Sequence, residues 1–504
     1  MSNQLTIRFI LSLNVSGRTF TRESYVAFQL KKTRIIATLG PASSSTEKIR
    51  SLLAEGVNVF RFNFSHGDHE THRRNLETVY NVSQDLGYYP ALLADLQGPK
   101  IRTGKTEGGK PVSLESGSEV VITGEKVPSN EKVISIDHPT LAQEIASGQQ
   151  ISINDGLIRL RAEKVVPERK EVHCIVIEGG VYSSHKGVNF PDVRLSVPSL
   201  TRKDRQDLEF ILKHPFQYIA LSFVRSAEDL KELRSITDKV RRDVKLIAKI
   251  EKPEAAADID SILEVCDGIM VARGDLGVEA FPYSVPVIQK DLIARANREA
   301  KIVIVATQML ESMIEHPLPT RAESTDVANA IFDGTDAIML SGETAVGGYP
   351  EETVQMMTRI AQTSEESAYY SKDVLDLSVR EQYPPHALCE AAAYAARDLG
   401  GIPVVVITVS GDTAFYLSKI RSQSPIFAFS PDEQVTRSLA LAWNVQGFPL
   451  DFSSGDITRI LKDAEDLLID RGLLSGGEMV AVLAGSTPLR GATTFLRIKR
   501  AGEE

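Results

Sequence analysis

The sequence predicts an α/β fold: a (β/α)8 TIM barrel with an inserted small β-barrel domain and a C-terminal open-sheet α/β domain. Three observations predict it. Short apolar runs alternate with stretches of helical spacing, as in parallel βα units. That rhythm stops between residues 104 and 190, where strands and turns dominate, and then resumes. A polar, Pro-containing stretch at 373–385 separates the resumed rhythm from a second α/β pattern. The expected division is an N-terminal extension at 1–31, a discontinuous barrel at 32–103 and 191–369, the insert at 104–190, and a terminal domain at 370–504.

The elements follow in order. Residues 1–31 show no clear period. RIIATL at 34–39 is the first strand, and Ser43–Ser45 can cap the helix that runs to about Ala54. Strands at 57–62 and 89–94 follow, with Asp68 as N-cap of the helix between them. In the insert, strands are expected at 112–114, 119–123, 133–136, 150–154, 157–165 and 171–178. Asp155-Gly156 is a two-residue hairpin signal. Past Pro191 come helix 202–212, strand 218–222, helix 227–240, strand 244–248, helix 255–265 and strand 268–272. Helix 284–300, strand 302–306, helix 321–332, strand 337–340 and helix 351–368 complete eight strands. Eight such units close a barrel whose site lies at the carboxyl ends of the strands. The last region reads as helix 385–399, strands 404–408, 426–429 and 479–484, and helices 412–420, 432–441 and 458–470.

A chain of 504 residues suggests two to four domains. A formal net charge of −10 argues against nucleic acid or an anionic membrane as partner. Cys174, Cys266 and Cys389 are scattered, so we expect reduced thiols in a cytoplasmic protein. No apolar run reaches the ~18 residues that a span needs. The apolar segment 7–15 is short, is interrupted by Arg8 and lacks a small-residue cleavage site, so no signal peptide is expected.

The residues past the strand ends carry the chemistry. They are Arg61, Asn63, Ser65 and His66 after strand two, and Asp95, Lys100 and Arg102 after strand three. Ser222 and Arg225 follow strand four, Lys249 and Glu251 strand five, Arg273 and Asp275 strand six. Thr307 and Gln308 follow strand seven, Ser341 and Glu343 strand eight. Singly, each is a cap or a salt-bridge partner. Converging on one mouth, cations, carboxylates and hydroxyls suit phosphoryl transfer or enolate stabilisation. Carboxylates from separate strands, Glu251 and Asp275, can hold Mg²⁺ with open positions left for substrate. His66, His69 and His72 do not make a zinc site; the last two fall on a first helical turn and are expected to be solvated.

Several of these motifs resemble one family. RFNFSHG (61–67), DLQGPKIRTG (95–104), KIEKPEA (249–255), MVARGDLG (270–277), ATQMLESM (306–313) and PTRAESTDVANAIFDGTDAIMLSGETA (319–345) strongly resemble pyruvate kinase, in the same order from about Thr33 onward. The resemblance implies the final step of glycolysis: transfer of the phosphoryl group of phosphoenolpyruvate to ADP, giving pyruvate and ATP. It implies Mg²⁺ or Mn²⁺ on Glu251 and Asp275, a homotetramer, a mobile lid and allosteric regulation. It assigns Lys249 to the transferring phosphoryl and the enolate, and Thr307 to the place where enolpyruvate is protonated. Arg61 and Arg102 bind phosphate. The backbone around Ala272, Arg273, Gly274 and Asp275 holds the substrate carboxylate. Asn63, His66, Arg102 and Lys186 contact nucleotide, and Asn63, Ser65, Asp95 and Leu96 form a monovalent-cation site.

Two departures carry expectations. Familiar members read DTKGPEIRTG where this chain reads DLQGPKIRTG, so Leu96, Gln97 and Lys100 replace Thr, Lys and Glu. An ammonium can take the position and charge of K⁺ and oppose binding of another cation. We therefore expect activity without K⁺. The loop TVSGDTA (408–414) resembles an effector-phosphate loop, yet Asp412 puts a carboxylate where a phosphate would approach. Two competing readings remain: a pyruvate-enolate lyase, which would not need the lid or the phosphate-binding arginines, and a binding-only relative, which would require loss of Lys249, Glu251, Asp275 or Thr307.

Overall fold

The structure is a computed structural model that describes residues 12–15, 18–21, 31–191, 193, 195–240, 243–370, 384–485 and 493–503. Eight parallel strands close into a barrel: Arg34–Thr38, Val59–Asn63, Ala91–Asp95, Tyr218–Leu221, Lys245–Ile250, Gly268–Ala272, Ile302–Ala306 and Ala337–Leu340. We number them one to eight. Ring closure pairs Ile338 on strand eight with Ile35 on strand one. Alternation along each strand sends one set of side chains inward (Ile36, Val59, Leu93, Ile247, Met270, Ile304) and the other against the helices. Strand three starts at Ala91 rather than 89, because Pro90 has no amide to give to a ladder.

The helical layer departs from expectation in two places that matter for the site. The helix expected at 255–265 is two, Pro253–Ala257 and Ile259–Val265, broken at Asp258 (φ −99°, ψ 24°). A short helix, Arg273–Glu279, follows strand six directly. Its sequence RGDLGVE holds two glycines, which gave no helical signal.

The insert forms a six-stranded sheet, with Val188–Asn189 at one edge and Val133–Ser135 at the other, plus the pair Val112–Leu114 with Gly180–Tyr182. All its pairings are antiparallel except Glu119–Thr123 with Val133–Ser135. The hairpin at Asp155-Gly156 is wider than expected. Ile153 pairs with Ile158, and residues 154–156 all have positive φ. The Asn154 amide is taken by the Gly187 carbonyl at 3.0 Å, which keeps it out of the ladder.

The terminal sheet has five strands, in the order Val445–Pro449, Ile426–Ser430, Val404–Ile407, Met479–Gly485 and Thr493–Arg500. The two outer strands were not expected; edge strands carry mixed polar residues and a weak period-2 signal. The linker expected at 373–385 falls almost wholly outside the described residues, and a helix starts at Pro384. Within 1–31 a hairpin of Ser12–Val15 with Arg18–Thr21 is described. Among the described residues no helix is long and apolar enough to cross a membrane.

Candidate active site

Five strand ends meet at Lys249. Period-2 alternation puts Lys249 and Glu251 on one face of strand five. The Lys249 ammonium lies 2.9 Å from Glu251 Oε1, 3.2 Å from Asp95 Oδ1 and 2.7 Å from Ser222 Oγ. Asp95, at the end of strand three, accepts on its other oxygen from Arg61 Nε at 2.7 Å. Arg61 in turn donates to Thr38 Oγ1 at 3.0 Å, which ties in strand one. Glu251 Oε2 accepts from the Phe223 amide at 2.8 Å, just past strand four. Each group is locked by the next, so the charges sit in place before any substrate arrives.

The environment sets their protonation. Burial alone would lower the Lys249 ammonium, but the Asp95 and Glu251 carboxylates outweigh it and hold it above the ordinary lysine value. Burial would raise Asp95; Lys249 and Arg61 override it and hold the carboxyl below the usual range. Glu251 goes the other way: burial lifts it, Lys249 only partly offsets this, and Asp275 adds to the lift.

Glu251 and Asp275 fit a hard divalent ion by the chemistry of their donors. Their oxygens are the right donors, Asp275 is partly open to the mouth, and its charge acts on both Glu251 and Lys249. Among the described residues no three Asp, Glu, His or Cys side chains cluster to cage a metal. Two carboxylates would leave the remaining positions to substrate and water oxygens, as Mg²⁺ favours.

Strands six and seven are stitched together beside this pair. The Gly274 amide donates to Thr307 Oγ1 at 2.7 Å, and that hydroxyl donates to Ala306 O at 2.6 Å. Thr307 holds φ +70°, an outlier for a β-branched residue and a mark of a constrained site. Arg273 turns away from the mouth: it pairs with Asp326 at 2.6 Å and donates to the Thr307 and Gln308 carbonyls. Glu343, after strand eight, is spent on the Ser341 and Leu310 amides. Ala272 closes strand six, buried.

The residues expected at the nucleotide gather less tightly. Asn63 accepts from the Ser65 amide at 3.0 Å, and this turn presents His66. Burial lowers the His66 imidazole, and Arg102, Arg61, Lys100 and Lys203 lower it further. Four cations acting on one ring report a positive field where a polyphosphate would lie. Arg102 donates to the His185 carbonyl at 3.1 Å, and the Lys186 carbonyl accepts from the Thr103 amide at 2.8 Å, so both lie where the segments entering and leaving the insert meet. The Leu96 side chain is buried in the barrel core, and its carbonyl accepts from Ser222 at 2.7 Å. Lys100 stands 3.7 Å from Asp275.

Sequence reasoning missed Lys203. Its ammonium donates to the Phe64 carbonyl and to the buried Asp207, each at 2.6 Å. Asp207 also takes His69 Nε2 at 2.7 Å, and His69 stacks on Phe210. His72 is buried against Phe64 and bonds the His66 carbonyl at 3.1 Å. His72 is not the solvated residue that its place in the first helical turn suggested, because it faces the Phe64 ring; His69 keeps 41% of its side chain exposed while it pairs with Asp207. The signal available was Lys203 and Asp207 four residues apart on one helix face.

Comparisons with known proteins match one family across most of the chain. The family model described as "Pyruvate kinase, barrel domain" matches residues 30–354, and "Pyruvate kinase, alpha/beta domain" matches 386–499. The chain is 41% identical over 473 residues to pyruvate kinase 2 of Synechocystis, covering 93% of this chain and 79% of that one. It is 41% identical over 478 residues to the pyruvate kinase of Staphylococcus aureus strain USA300, covering 94% and 81%. A crystal structure of a pyruvate kinase from Cryptosporidium parvum superposes with a TM-score of 0.86 at 33% identity, covering 95% of this chain and 97% of that one.

Proposed function

The chain belongs to the pyruvate kinase family, and on that premise we propose how its residues divide the transfer of a phosphoryl group from phosphoenolpyruvate to ADP. The activity itself is that of the family: a phosphotransferase yielding pyruvate and ATP, with a divalent metal as cofactor. Glu251 and Asp275 hold that metal, Mg²⁺ or Mn²⁺, which when bound neutralises oxygen charge and orients the phosphate. Lys249 stays protonated between its carboxylates and stabilises the charge that gathers on the moving phosphoryl and the enolate oxygen. Arg61, pinned by Asp95 and Thr38, and Arg102 steady phosphate oxygens. The P–O bond to the enol oxygen breaks as the ADP β-phosphate oxygen bonds to phosphorus. The enolate left behind then takes one proton at carbon, on the side of Thr307, to become pyruvate. The backbone from Ala272 to Asp275 faces the substrate carboxylate. Asn63, His66 and Lys186 border the nucleotide.

The observation that carries this reading is Lys249 held by Asp95, Glu251 and Ser222 within reach of the Asp275 charge. A lyase has no use for the positive field at His66, and a binding-only relative has no use for an ammonium so tightly buffered. A coupled assay for pyruvate from phosphoenolpyruvate, ADP and Mg²⁺ tests it. Run in tetramethylammonium buffer, the same assay tests independence from K⁺. Lys100 supports that independence, because it brings a fixed positive charge to the mouth while Arg61 and Lys249 already occupy Asp95. A near-zero rate restored many-fold by KCl would overturn it; pyruvate production that KCl barely changes is the expected result.

The assembly is a homotetramer. Its support is apolar surface left uncovered in the single chain: Phe281 and Tyr283 stack on each other, 59% and 77% exposed, and Val287 follows at 70%. Sedimentation at micromolar concentration checks it. The protein works in the cytoplasm, a reading supported by its three buried, unbridged cysteines. The proposed division into barrel, insert at 104–190 and terminal unit at 370–504 is supported by a separate sheet in each of the three parts. Regulation through the 408–414 loop needs an effector other than a plain phosphate, because Ser410 already donates to Asp412 at 2.7 Å and the Gly411 amide to Thr408 at 2.9 Å.

A further inference from the structure

Glu279 closes the short helix that carries Asp275 near its start. Its side chain is 4% exposed, and it divides its two oxygens between different parts of the molecule. Oε1 accepts from Asn189 Nδ2 at 2.8 Å, and Oε2 faces Lys252 Nζ at 3.1 Å. Asn189 lies on Val188–Asn189, the strand by which the chain leaves the inserted sheet. Lys252 directly follows Glu251. Asp275 and Glu279 are four residues apart and share a helix face. One buried carboxylate thus joins the insert, the strand end bearing Glu251 and the helix bearing Asp275.

Two further contacts bring the insert to this helix. Lys100, on its incoming side, stands 3.7 Å from Asp275. At the hairpin tip, a Cβ added to Gly156 would lie 3.6 Å from Val278 Cγ1. The incoming side, the tip and the outgoing strand of the insert therefore all rest on seven residues. A movement of the insert that carries Asn189 pulls on Glu279, and through it on both sides of the Glu251–Asp275 pair. A buried carboxylate does not give up either partner cheaply, so the three parts shift together.

We propose that Glu279 is a positioning residue that couples the orientation of the inserted sheet to the spacing of Glu251 and Asp275. This rests on the reading of those two carboxylates as divalent-metal ligands. Coupling is reciprocal. If the insert sets the spacing, a metal that fixes the spacing steadies the hinge of the insert. That hinge has two reporter amides: Thr103, donating to the Lys186 carbonyl at 2.8 Å, and Val188, donating to the Ile101 carbonyl at 2.9 Å.

The test uses the full chain and Mn²⁺ alone, without substrate. Electron paramagnetic resonance gives the Mn²⁺ dissociation constant, and amide hydrogen exchange gives the protection of Thr103 and Val188 with and without the metal. In the unaltered protein, saturating Mn²⁺ should slow exchange at both amides by about tenfold, the size of an ordinary coupling. In Glu279→Ala and in Asn189→Ala that protection should vanish although Mn²⁺ still binds. Asn189→Ala leaves the Lys252 pair in place, so it carries the expectation even if Glu279→Ala does not fold. Glu279→Gln, which keeps an acceptor for Asn189, should retain part of the protection. Mn²⁺ binding with equal hinge protection in all variants overturns the coupling and leaves the metal reading intact. Failure of the unaltered protein to bind Mn²⁺ overturns both.

Discussion

Two buried lysines sit at opposite ends of the same barrel and are pushed in opposite directions. Lys249 is at the mouth and Lys419 at the floor, where the terminal domain packs on the N-terminal ends of the strands. Their side chains are 12% and 3% exposed. Burial lowers both. At the mouth three carboxylates, Asp95, Glu251 and Asp275, act on Lys249, and the ammonium ends above its ordinary value. At the floor Lys419 has one carboxylate, Asp336 at 2.7 Å, and shares it with Arg421 at 2.9 Å. Burial outweighs Asp336, Arg421 adds to the fall, and Lys419 drops to about 8. The difference teaches that depth alone does not decide the charge state of a buried lysine; the ratio of carboxylates to cations around it does. The mouth keeps a permanent cation, and the floor keeps a marginal one.

The largest expected effect breaks the comparison at the mouth. Lys249→Met should lower kcat by on the order of a thousandfold, the scale of losing one preorganised charge at a reacting centre. A fall of less than tenfold would remove Lys249 from the chemistry. At the floor the loss should appear in stability instead. Asp336→Asn strands Lys419 and Arg421, a cost of about 3 kcal/mol for breaking a buried pair, read as a drop of roughly 5–10 °C in the unfolding temperature. An unchanged Tm would show that the floor cluster carries no net stability.

The pH dependence sharpens the contrast, because the signs differ. The folded value of Lys419, about 8, lies below its ordinary 10.5. The unfolded chain therefore binds more protons in that window, and stability rises with pH between them. The Tm difference between the unaltered protein and Lys419→Met should grow in favour of the former from pH 8 to pH 10. Lys249 is raised, so its contribution is complete below the ordinary lysine value and is lost only above it. The Tm difference between the unaltered protein and Lys249→Met should stay flat over the same window, and a matching slope in both series would erase the distinction. The smallest expected effect concerns Lys100. In Lys100→Glu, KCl should stimulate the rate by about fivefold or more, from the reversal of a charge beside the mouth. Equal KCl response in both proteins would detach Lys100 from the cation question.

Much of the mouth was legible because its residues lie within short runs that follow strands. Lys249 and Glu251 are two apart, Asn63 to His66 form one turn, and their types name their chemistry. The His69–Asp207–Lys203 array was not legible, since it joins helices that begin more than a hundred residues apart. The floor cluster was equally hidden: Asp336, Lys419, Arg421 and Asn297, whose Oδ1 accepts from both cations, have no common spacing, and each reads alone as a solvated polar residue. The helix Arg273–Glu279 escaped because its glycines argue against it, and it forms only where strand six delivers it against Thr307.

By itself the sequence determined the alternation of apolar runs and helices, the order of the eight strands, and which side chains stand at their carboxyl ends. Those are local matters, set by periodicity and by the strand direction that a parallel sheet imposes. Only the tertiary structure decided which of those side chains share a carboxylate or a hydroxyl, and that Glu279 and Asp336 are buried between bodies rather than on a surface. Pairing energies depend on distance and on the water excluded around them. Both are properties of closure, which no stretch of chain possesses before the ring is shut.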